Sequence, residues 1–97
     1  MTDQLLSQIK KQIEQARANL ADCERFEAAF AKNWAELQQL KIAAEGAKGT
    51  VKAKARAVVA HAELQLRASA KDVAEQRVSI TAALLELLEL EAEAKSC

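Results

Sequence analysis

Apolar residues in the first half of the chain recur in alternating steps of three and four. Leu6, Ile9, Ile13, Ala16, Leu20, Cys23, Phe30, Trp34, Leu37 and Ala44 keep this spacing, with Glu27 and Lys41 as its charged exceptions. In the second half Val59, Leu66, Val73, Ile80, Leu87 and Ala94 recur at every seventh residue, and Ala62, Ser69, Gln76, Ala83 and Leu90 fill the positions between. A stripe with this period keeps one face of an α-helix apolar and lets two helices wind around each other. Each half is therefore predicted to be a long amphipathic helix of coiled-coil type.

The two stripes are out of phase. Continued without a break, the first would next meet Gln65, Asp72, Ser79, Glu86 and Glu93, all polar. The chain must turn, and both of its glycines fall in one stretch, EGAKGTVKAKAR, residues 45 to 56. Gly46 is expected to end the first helix in a left-handed conformation, and Thr50 to cap the second by accepting a backbone N–H. The pattern predicts a single all-α domain over 1–97, a long antiparallel two-helix hairpin with helices over about 3–45 and 51–95 and a bend at 46–50.

A bend centred on residue 48 pairs residues whose numbers sum to 96. Leu37 then faces Val59, Phe30 faces Leu66, Cys23 faces Val73, Ala16 faces Ile80 and Ile9 faces Leu87. Trp34 opposes Ala62 and Ile13 opposes Ala83, so large residues meet small ones. Lys10 falls beside Glu91 and Glu24 beside Arg77. Such exposed pairs are worth at most about 1 kcal/mol each and select a register more than they hold it.

A lone hairpin has one seam, yet the second helix is apolar beyond it. Leu64, Val78 and Leu85 share a line with Ala57, and Leu88 lies beside them. The segment ITAALLELLEL, which includes Leu84, is apolar almost all round. The matching line of the first helix reads Lys11, Ala18, Arg25, Lys32 and Gln39. This asymmetry marks Leu64, Val78, Leu84, Leu85 and Leu88 as a candidate protein interface. A homodimer forming a four-helix bundle, or a larger homo-oligomer, is the first expectation, because twofold symmetry is the commonest way to bury a self-complementary face. A larger protein partner is the second.

Composition agrees with helices: proline is absent, and 14 acids balance 14 bases. A net charge of zero provides no global field to steer the molecule to nucleic acid or membrane. No segment reaches the roughly 20 apolar residues of a membrane span, and the N-terminal sequence lacks the pattern of a secretory signal. A cytoplasmic protein without membrane contact is expected.

Lys48, Lys52, Lys54 and Arg56 make a basic tip at the bend. With no aromatic between them to stack on bases, a solvated tip is the favoured reading, ahead of phosphate binding. Phe26, Phe30 and Trp34 stand four residues apart and read as core, with Phe26 at its flank. His61 has no cysteine or carboxylate at a distance of four residues to complete a metal site. Cys23 reads as a small core residue. Cys97 lies 24 residues beyond Val73, roughly 36 Å at the helical rise, and so out of disulfide reach of Cys23; it is a thiol for cross-linking between chains. No nucleophile has a base beside it and no glycine-rich cradle is present, so no catalytic residue, metal or cofactor is expected. The sequence points to a non-enzymatic assembly or adaptor module working through helix–helix contacts. The alternative is a small inhibitor or regulator, of the kind phages and mobile elements encode, that occludes a larger protein. Nucleic-acid binding through the tip is the weakest reading.

Overall fold

The computed structural model describes residues 2–96, the side chain of Thr2 excepted. It is all-α, a two-helix hairpin of α1 (Thr2–Glu45) and α2 (Gly49–Ser96). By packing it divides into two compact units: residues 1–25 with 74–97, and residues 26–73. The proposed cross-link through Cys97 falls outside the described residues.

The bend is shorter than the sequence suggests, and the roles of its glycines differ. The left-handed residue is Gly49, with φ 65°, and not Gly46. Gly46 and Ala47 instead donate to the carbonyls of Ala43 and Ala44, each at 3.1 Å. These tighter bonds satisfy two carbonyls that the end of α1 would leave open. Reversal is left to Gly49, whose missing Cβ makes that backbone region accessible. Thr50 is consequently already inside α2 and does not occupy the cap position.

Charges at the two facing helix ends explain one another. Glu45 closes α1 where the helix dipole disfavours an acid, and Lys52 ends the first turn of α2 where it disfavours a cation, with Arg56 one turn further on. Arg56 donates from Nε and a terminal nitrogen to the two Glu45 oxygens at 3.2 and 2.9 Å, and Lys52 Nζ lies 3.7 Å from the same carboxylate. Glu45 and Lys52 are misplaced for their own helices, and all three groups are matched across the bend.

In the unit that holds the bend, Leu37, Ala44 and Val59 are buried, while Phe30, Trp34, Ala62 and Leu66 are half-buried. Gln38 donates to Glu63 at 3.3 Å, and the Arg67 guanidinium lies 5.3 Å from the centre of a Trp34 ring. These two contacts and Glu45–Arg56 each join residues whose numbers sum to 101, the sum of the expected flanking pairs Lys10–Glu91 and Glu24–Arg77 and five above that of the seam pairs. The offset has a geometric cause. Side chains lean toward the N-terminus of their own helix, so those of α1 lean away from the bend and those of α2 toward it.

In the other unit Ile9, Ile13, Ala16 and Cys23 are buried on α1, and Ile80, Leu84, Leu87 and Ala94 are half-buried on α2. The expected every-seventh line of α2 is the inward one. The line between it is not the expected one past Ala62. Ser69, Gln76, Ala83 and Leu90 are exposed; Ala70, Leu84 and Glu91, each one residue further on, are half-buried in place of Ser69, Ala83 and Leu90, nothing replaces Gln76, and Leu88 is half-buried beside Leu87. From Val59 the inward steps to Ala70 run three, four, four, close to the natural period of a straight helix. That turn of the stripe leaves Ser69 and Gln76 in water. Glu91 pairs with Lys95 at 3.7 Å, one turn along its own helix, in place of Lys10.

Candidate helix-docking interface

A helix with one neighbour can hide only one face. Accordingly, among the described residues no side chain is fully buried.

The structure sorts the candidate interface residues into two sets. Leu64, Val78 and Leu85 are open to solvent, 67, 71 and 58 % exposed. Leu84 and Leu88 are half-buried and belong to the hairpin seam, for the reason just given: the inward line has moved by one residue. Val78 and Leu85 lie seven positions apart on α2 and so share a face of the helix, while Leu64 belongs to the other unit.

A property of α2 absent from the sequence reading lies in the distribution of its charge. The stretch 49–73 carries five cations, Lys52, Lys54, Arg56, Arg67 and Lys71, against Glu63 and Asp72, net +3. The stretch 74–96 carries five acids, Glu75, Glu86, Glu89, Glu91 and Glu93, against Arg77 and Lys95, net −3. Counting charge by half-helix, not for the whole chain, brings this out, since the total is zero.

Two of the tip cations are engaged. Lys52 and Arg56 converge on Glu45, while Lys48 and Lys54 are exposed and form no ion pair among the described residues. The Arg56 guanidinium holds the Glu45 carboxyl below its usual range, chiefly by hydrogen bonding. Next to this contact lies an open cleft of about 220 Å³ lined in part by Lys41, Ala44, Glu45, Arg56, Val59 and Glu63. Lys41 is 3.6 Å from Glu63, so the cations of the cleft already face acids.

Phe26, Phe30 and Trp34 form a stacked ladder with ring centres 6.4 and 5.8 Å apart, and all three are half-buried. The Arg67 contact covers the Trp34 end of it. His61 is exposed. Among the described residues no group of three His, Cys, Asp or Glu side chains could hold a metal, and no helix is long and apolar enough to cross a membrane. Comparison of the chain with protein-family models, curated proteins and solved structures gives no match.

Proposed function

We propose that this chain is a non-enzymatic helix–helix interaction module, of coiled-coil type, whose outward α2 line receives a helical partner in an assembly or adaptor role. The observation that carries this reading is the exposure of Val78 and Leu85, seven residues apart on α2 within one unit, and of Leu64 in the other, at 71, 58 and 67 %. Isolated surface leucines are ordinary, but a repeated apolar line has the pattern by which one helix takes another. Burying three such side chains is worth about 1.5–3 kcal/mol each, of the same order as the roughly 4–15 kcal/mol that association costs.

Replacing Leu64 and Leu85 together by Glu tests the reading by sedimentation and circular dichroism over a dilution series. The parent chain is expected above monomer mass, and the double variant at monomer mass, because charges on a docking line stay solvated only when nothing covers them. A monomeric parent, or an assembly that the double variant leaves intact, overturns the proposal.

A further inference from the structure

We infer that the exposed Val78 and Leu85 of one copy dock on the outward line of α1, Lys11 and Ala18, of a second copy, so that unlike faces meet. The inference rests on the proposed docking role of α2 and adds the identity of the occupant. All of its residues lie in one compact unit, residues 1–25 with 74–97. Val78 and Leu85 are 71 and 58 % exposed. Glu75, Ala82 and Glu89 stand three or four residues from them and line one edge of the same face. Glu75 and Glu89 are exposed and form no ion pair among the described residues. Charge argues against α2 of the second copy as the occupant. Docked antiparallel with Val78 against Leu85, it sets Glu75 beside Glu89 at both ends; docked parallel, it sets each acid beside its own copy. Like charges so placed oppose the contact.

The complement lies on α1. Lys11 and Ala18 stand seven residues apart on its outward line, both exposed, and Lys11 forms no ion pair among the described residues. With α1 of the second copy antiparallel to α2, and facing numbers summing to 100, Ala18 meets Ala82, between Val78 and Leu85. A small residue there lets the two larger ones close on either side of it. Lys11 meets Glu89 in the same register. Its stem covers Leu85 and its ammonium supplies the counter-charge of the carboxylate. Arg25, which falls level with Glu75, already holds Asp22, so Lys11 is the cation that the contact recruits. Both outward lines point away from the seam of their own hairpin, so one pair of copies cannot satisfy both contacts. Unlike faces of this kind join head to tail.

Complementation of two blocked variants tests the unlike pairing. Val78→Glu with Leu85→Glu disables the α2 face, and Lys11→Glu with Ala18→Glu disables the α1 face. All of these residues are exposed, and circular dichroism reports whether each hairpin stays helical. By sedimentation in reducing buffer the parent is expected to exceed dimer mass as concentration rises. Each blocked variant alone is expected to be a monomer, and an equimolar mixture to form a one-to-one complex, because each supplies the face that the other lacks. Lys11→Glu alone is expected to weaken association about ten-fold and Lys11→Glu with Glu89→Lys to restore it. That charge exchange decides the matter if a blocked variant loses its helicity, and failure to restore overturns the inference. Helical blocked variants that stay monomeric when mixed overturn it too, as does an α1-blocked variant that keeps the parent mass. In each of these cases, loss of assembly in the variant with Leu64→Glu and Leu85→Glu leaves the docking role standing. A parent that is monomeric at every concentration overturns both.

Discussion

Glu45, the last residue of α1, binds the Arg56 guanidinium with both of its carboxylate oxygens, at 2.9 and 3.2 Å, across the bend. Arg56 is raised in pKa by the same contact and stays cationic throughout, so the pair follows the charge of Glu45 alone. Because the folded carboxyl lies below its unfolded value, the contribution of the pair is complete above that value, about 4.3, and is lost as pH falls through the depressed folded pKa. In carboxyl carbon NMR, Glu45 is expected to titrate below the other glutamates in the parent and to move up in Arg56→Gln. The effect should shrink in salt, as exposed pairs do. An Arg56→Gln midpoint equal to the parent's would show that the contact does not persist in solution.

The same contact limits what the basic tip can do with a polyanion. With Lys52 and Arg56 held by Glu45, two cations are left to meet phosphates, Lys48 and Lys54. Duplex DNA binding by the parent should therefore be weak, with a log affinity against log salt slope no steeper than about −1.8, while Glu45→Gln should steepen it toward about −3.6. Anisotropy of a labelled duplex across a salt series reads both slopes. A parent already near the steeper value would mean that the four cations act together and that the tip is a phosphate-binding surface.

The hairpin was legible because its two signals are strong and independent: a seven-residue apolar period in each half, and a phase break between them that falls on the glycines. The seam of α1 followed its pattern, with Ile9, Ile13, Ala16, Cys23, Leu37 and Ala44 all buried. The second line of α2 was not legible to the same degree. Ser69 and Gln76 are polar, and a strict heptad puts them inward, while the structure takes Ala70 and lets them face water. That choice depends on packing against α1, which α2's own spacing does not contain. It also moved Leu84 and Leu88 from the candidate interface into the seam. The assignment of left-handed backbone to Gly46 failed for a comparable reason. Two glycines three residues apart are equally able to reverse the chain, and hydrogen bonding of Gly46 and Ala47 to the end of α1 decided between them.

The two glycines consequently predict opposite effects of the same substitution. A Cβ at Gly49 would touch nothing within 4 Å, so the cost of Gly49→Ala comes from the backbone at φ 65° and not from crowding. Left-handed backbone costs an L-residue about 1–2 kcal/mol, partly offset by the smaller entropy of the unfolded alanine chain, for a net loss of about 1 kcal/mol. At Gly46 the backbone is outside the left-handed region, and a Cβ would lie 3.4 Å from the Ala43 carbonyl oxygen, a contact that relaxes with a small shift. Gly46→Ala is therefore expected to stabilise by about 0.4–1 kcal/mol. Thermal unfolding at one fixed concentration, needed because association would itself shift the midpoint, should separate the variants by about 6–16 °C. Equal midpoints, or a Gly46→Ala variant less stable than Gly49→Ala, would return the reversal of the chain to Gly46.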